Sequence, residues 1–144
     1  MKIVVSLRIS VKEINNFIVS ISGPNQRQAK AEKMNKDDAI HLRYMLAAIE
    51  QLEFYTRGMS ESEFNSRPMV QDAVARQIEI VGEAAKNVSI EFQGQHPKLP
   101  WMNTMGIRSK ILSEDFKLDV ATVWNTIQDD LPLFKHIIRK FLQT

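Results

Sequence analysis

Glu79 and Glu83 stand four residues apart in a stretch with helical spacing, so they share a face and could work as paired carboxylates. Arg76 and Lys86 beside them offer a plainer reading, a solvated face crossed by ion pairs. Histidine is the other residue type suited to moving protons near neutral pH. Only three occur, His41, His96 and His136, and no two have the spacing of a zinc pair such as H-E-x-x-H. His96 sits in a proline-rich loop and His136 in the last helix, where packing or surface roles are commoner than catalysis. Trp101 and Trp124 read as core anchors rather than as rings on which a ligand stacks. The chain has no cysteine, which excludes disulfides, thiolate metal sites and a cysteine nucleophile. It also has no glycine-rich phosphate loop, G-x-S-x-G elbow, zinc signature or EF-hand loop.

The elements that must position these residues are helical. The 144 residues are 44% apolar and 25% charged, a composition that suits one globular domain. No apolar run approaches the roughly 20 residues of a membrane helix. Asn35 is placed to cap a helix with Asp37 and Asp38 in its first turn, and Leu42, Met45, Ile49 and Leu52 on one face. Gly58 ends it. Ser60-Glu61-Ser62-Glu63 reads as a capping box with Phe64 packed below, and Pro68 fits the first position of the next helix. Val70, Val74, Gln77, Val81, Ala84 and Val88 line one stripe of that helix. Gly82 inside it costs about 1 kcal/mol against alanine, which suggests close approach of another helix. Residues 94–100 read as a loop. Apolar patterning resumes at Trp101 with Met102, Met105, Ile107 and Ile111; Asp119 then caps a helix carrying Val120, Val123, Trp124 and Ile127. Pro132 opens a last helix with rows Leu133/Ile137/Phe141 and Phe134/Ile138/Leu142. The expectation is an all-α, up-and-down bundle of four to five helices.

Residues 1–34 differ from the rest. Residues 1–33 carry six basic and two acidic side chains, while the remainder carries 13 basic and 15 acidic. Val5, Leu7, Ile9 and Val11 alternate with polar residues as in a strand, Ile14 to Ile21 follow helical spacing, and Ser22-Gly23-Pro24-Asn25 breaks the chain. Two readings stay open: a peripheral extension, or upstream sequence with the natural start at Met34. The acidic balance of 35–144 gives no bulk electrostatic case for gripping nucleic acid.

Taken together, several separated segments resemble one family. Met69-Val70-Gln71-Asp72-Ala73-Val74 is followed by Arg76, Glu79 and Ile80-Val81-Gly82-Glu83-Ala84-Ala85-Lys86. Then come His96-Pro97, Pro100-Trp101, Gly106-Ile107-Arg108, Phe116, Leu118-Asp119, Val123-Trp124 and Asp130-Leu131-Pro132. Their order and spacing over residues 35–144 resemble the HepT group of HEPN-domain proteins, and residues 1–34 fall outside the resemblance. It implies an all-α HEPN bundle that pairs as a homodimer. It also implies a cytoplasmic ribonuclease toxin beside a minimal nucleotidyltransferase (MNT) antitoxin, with RNA as substrate and neither metal nor cofactor. The family motif is Arg, four residues, His, one residue, Tyr, and two copies form one cleft across the dimer. In it Arg stabilises charge on the phosphate and His moves protons, while the antitoxin places AMP on the tyrosine.

Laid on that motif without gaps, the chain keeps Arg108 but departs elsewhere. Ser109 stands at the usual Asn position, Ser113 at the His position and Asp115 at the Tyr position, with Phe116, Asp119 and Trp124 in register. A serine cannot replace an imidazole as general acid or base, and losing such a group costs about 10²–10⁴-fold in rate. Glu114 and Asp115 add negative charge beside the phosphate site the motif implies. The tyrosines present, Tyr44 and Tyr55, belong to the first helix. The expectation is a degenerate toxin with weak or lost RNA cleavage that keeps dimerisation and antitoxin binding. The alternative is a non-catalytic dimeric module that docks a nucleotidyltransferase or nucleic acid.

Overall fold

Apolar side chains three and four residues apart cover one side of a helix and must be buried against something. The computed structural model describes residues 26–143, with side chains from residue 37 onward, and places Leu42, Met45, Ile49 and Leu52 in the core on helix α1, Gln26–Thr56. The strand-like pattern at 5–12, the helical spacing at 14–21 and the break at 22–25 lie outside the described residues. Helix α1 begins earlier than expected, so Asn35 is an interior residue rather than a cap. The run Gln26 to Lys33 explains this, being composed of Gln, Arg, Ala, Lys and Glu, all good helix formers. Asp38 therefore does not complement the terminus of its own helix. It is buried, and its carboxylate accepts the Ser89 backbone N–H at 2.7 Å and the Ser89 hydroxyl at 2.6 Å. Gly58, with φ +71°, turns the chain after α1.

The packing that follows lies within the compact unit Asp37–Thr144. Ser60 caps α2, Glu61–Asn65, by accepting the Glu63 N–H at 3.1 Å, and Phe64 is buried below as expected. Pro68 opens α3, Pro68–Lys86. The buried arc of α3 is wider than the stripe read from sequence: Ala75, Ile78, Gly82 and Ala85 join Val74, Val81 and Ala84, while Val70 and Gln77 are only half-buried. Gln71 is buried too, because its amide donates to the carbonyls of Phe64 (2.8 Å) and Asn65 (3.1 Å) at the open end of α2. Helix α4, Ile90–Gln95, replaces the first part of the expected loop, because Ser89 caps it through the Phe92 N–H at 3.1 Å.

Helices α5, Trp101–Met105, and α6, Ile107–Ile111, meet at Gly106. Both press on α3. A Cβ on Gly82 would lie 2.8 Å from the Thr104 carbonyl oxygen and 3.0 Å from Ile107 Cγ2, so the close approach suggested by that glycine is real. Helix α7, Val120–Asn125, runs without a break through a π turn, Thr126–Asp130, into α8, Leu131–Leu142. Pro132 does not start a separate helix. It lacks an N–H and its ring crowds the carbonyl four residues back, and the helix widens there, with the Leu131 N–H bonding to the Thr126 carbonyl. The last helix buries less than its two apolar rows promised. Phe134 and Ile138 are buried, Ile137, Phe141 and Leu142 half-buried, and Leu133 exposed.

The fold is all-α, as expected, with no strand among the described residues and a single isolated bridge between Leu112 and Leu118. The described chain divides into more helical segments than the four to five expected, because α4 forms ahead of the expected loop and the apolar stretch from Trp101 to Ile111 divides at Gly106 into α5 and α6. No described helix is long and apolar enough to cross a membrane.

Candidate active site

Helix α6 is short, and its neighbours hold it. Ile107 and Ile111 are buried, one turn apart, and Ile107 packs over Gly82. That fixes the opposite face of α6 outward. Arg108 stands on it, exposed, with no ion pair or side-chain hydrogen bond among the described residues. Two hollows meet at this guanidinium. The larger, about 430 Å³, is walled by His41 and Tyr44 of α1, Arg76, Glu79 and Glu83 of α3, and Ile107 and Arg108 of α6. The smaller, about 330 Å³, lies between Lys86, Gly106, Ser109 and Leu112.

Carboxylates in an anion site would oppose it, so their partners matter. Glu79 faces Arg76 at 3.8 Å and Glu83 pairs with Lys86 at 3.0 Å, the intrahelical pairs that the plainer sequence reading anticipated. Such exposed pairs add little stability. They do neutralise the α3 wall, leaving Arg108 as an uncompensated cation there. His41 is half-buried, with its ring edge-on to Tyr44 at 6.2 Å.

The rest of the motif stretch is elsewhere. After Ile111 the chain reverses: the Ser113 N–H donates to the Lys117 carbonyl at 2.9 Å, and the Ser113 hydroxyl accepts the Lys117 N–H at 3.1 Å. Glu114, Asp115 and Phe116 form the exposed tip, where Phe116 takes φ +59°. Neither Ser113 nor Asp115 lines either hollow, and Glu114 does not either. Asp119 then caps α7 as the sequence indicated, accepting the Thr122 N–H at 3.1 Å. That bond, followed by one from the Thr122 side chain, holds its carboxyl below the ordinary value of 3.8.

The remaining candidates line neither hollow. His96 packs its ring 4.5 Å from that of Phe92, and its carbonyl accepts the Trp101 indole N–H at 2.9 Å. His136 is exposed on α8. Trp101 is buried and Trp124 lies against Phe64 at 5.2 Å. Sequence reasoning counted His41 but gave it no role. The available signal was that His41 and Tyr44 are three apart, and so share a face beside the buried Leu42/Met45 stripe.

The domain is all-helical and holds over this hollow one arginine that is unpaired among the described residues, with His41 on the same wall. The family model described as ribonuclease HepT-like matches residues 45–141, and the chain belongs to this HepT-like family of HEPN-domain proteins. It is 34% identical over 102 residues to a Thermococcus cleftensis protein named "Probable ribonuclease HepT", covering 71% of this chain and 93% of that one. It is 36% identical over 110 residues to a Methanocaldococcus jannaschii protein named "Gamma-glutamylcyclotransferase and putative RNase". That match covers 76% of this chain and spans half of the other protein's length. No solved structure matches the chain.

Proposed function

We propose that this chain is a HepT-type ribonuclease subunit whose motif-based RNA cleavage is weak or lost, carried by a HEPN domain over residues 35–144. In this reading it works as a cytoplasmic homodimer, paired with an MNT-type nucleotidyltransferase antitoxin. The observation that supports it is the split of the motif stretch. Arg108 has no partner among the described residues and stands over a hollow, while Ser113 spends its hydroxyl on the Lys117 N–H and Asp115 stands on an exposed turn. Neither group offers an imidazole or a phenol.

The test is cleavage of a labelled oligoribonucleotide in chelator by the full chain and by Ser113→His/Asp115→Tyr. The double variant is expected to cleave about 10²–10⁴-fold faster, the usual contribution of a positioned acid–base group. An unchanged rate would remove these two positions from the chemistry. The second reading, a non-catalytic module that docks a nucleotidyltransferase, draws on Met69, Ile90, Met102 and Phe116, which are 82–87% exposed. It expects partner binding to survive Arg108→Ala.

A further inference from the structure

We propose that the hollow between α1, α3 and α6 is an RNA-cleaving cleft in which His41 donates the proton that position 113 no longer can, with Glu79 as proton acceptor. The inference rests on the ribonuclease reading above and assigns its residual activity to residues outside the motif.

Three observations converge. First, Arg108, the motif side chain that remains, lines the same hollow as His41, whereas Ser113 and Asp115 do not. Second, the charges suit a phosphodiester. The groups facing His41 across the hollow are Tyr44 on its own helix, Arg76, Glu79 and Glu83 on α3, and Arg108 on α6. Glu83 is held by Lys86 at 3.0 Å, Glu79 only loosely by Arg76 at 3.8 Å, and Arg108 by nothing among the described residues. One carboxylate is thus left free enough to take a proton, and one guanidinium free to take a phosphate. Third, a hollow of about 430 Å³ falls in the range that accommodates a small ligand, and the exposed Tyr44 ring at its rim gives a base a face on which to stack.

The step balances with these groups. Glu79 takes the proton of a ribose 2′-hydroxyl, and the 2′-oxygen forms a bond to phosphorus. The bond from phosphorus to the 5′-oxygen breaks, its electron pair goes to that oxygen, and the His41 imidazolium protonates it. Arg108 stabilises the charge that builds on the non-bridging oxygens. The products are a 2′,3′-cyclic phosphate and a 5′-hydroxyl, and solvent exchange resets both protein groups.

The experiment uses the full chain, a labelled oligoribonucleotide and its all-deoxy counterpart, in chelator. Wild type is expected to cleave only the ribo substrate and to leave cyclic phosphate ends. His41→Ala should lower the rate about 10²–10⁴-fold at unchanged RNA affinity, with partial rescue by added imidazole and loss of the alkaline limb of the rate–pH profile. Glu79→Gln should remove the acid limb. His41→Gln, with an unchanged circular dichroism spectrum, separates chemistry from folding. Equal cleavage by wild type and His41→Ala overturns the inference. So does a silent wild type beside an active Ser113→His/Asp115→Tyr, which leaves the ribonuclease reading standing. If neither cleaves, both fall together.

Discussion

Arg108 and Asp115 belong to one short motif stretch, yet they obey different physics. Arg108 sits between Ile107 and Ile111, both buried, on a helix pressed against α3 at Gly82. Asp115 sits on a turn held by two backbone bonds, Ser113 N–H to the Lys117 carbonyl and Phe116 N–H to the Ser113 carbonyl, and by the Lys117 N–H donated to the Ser113 hydroxyl, with exposed side chains throughout its tip. A change beside Arg108 disturbs the core. A change at 113 or 115 touches solvent, where substitutions usually stay within about 0.5 kcal/mol. The two positions are thus constrained unequally: packing against α3 holds the arginine's address, while Ser113 and Asp115 answer only to the turn they form.

The largest effect should come from the packed side. Ile111→Ala removes a fully buried side chain and is expected to cost about 2–5 kcal/mol, read as a lower urea midpoint. A loss within the range of surface changes would break the comparison at its root. Gly82→Ala comes next. Its methyl would meet the Thr104 carbonyl oxygen at 2.8 Å, a backbone atom that cannot swing aside, so overpacking of about 3 kcal/mol outweighs the roughly 1 kcal/mol gained in helix propensity. A higher melting temperature would mean that α3 and α5 are not set so close. The smallest lies just past the turn. Asp119→Ala should cost about 0.5–2 kcal/mol through loss of the α7 cap. Because folding lowers the Asp119 pKa, its ionic share of that stability is full above the ordinary value of 3.8 and fades as pH falls through the lower folded value. Urea melts of both proteins on either side of that window should therefore differ less in acid.

Local rules carried much of this fold. The Leu42/Met45/Ile49/Leu52 stripe, the Ser60 and Asp119 caps, Pro68 and Gly82 all follow from residues within a few positions of one another. What the sequence hid was non-local. Asp38 looked like a helix-end charge because its partner, Ser89, lies 51 residues away. The spacing of His41 and Tyr44 was legible, but not their place beside Arg108, because the hollow that they share exists only once α1 and α6 flank α3. Pro132 read as a start because proline favours first turns, and a helix that widens to admit one has no simple sequence mark.

That widened turn has a consequence for chain length rather than composition. A π turn holds roughly one residue more than an α turn. Deleting Gln128 would leave the usual number of residues in the turn, so the segment would close into a regular α-helix with the positions downstream still facing as they do now. Phe134 and Ile138 would stay in the core, and Lys135 and Arg139 on the side of Glu53 and Glu50, their partners at 2.8 and 3.1 Å. The same deletion inside α8 would rotate every later position by about 100°, so the wide turn is where this end of the molecule absorbs a change of length.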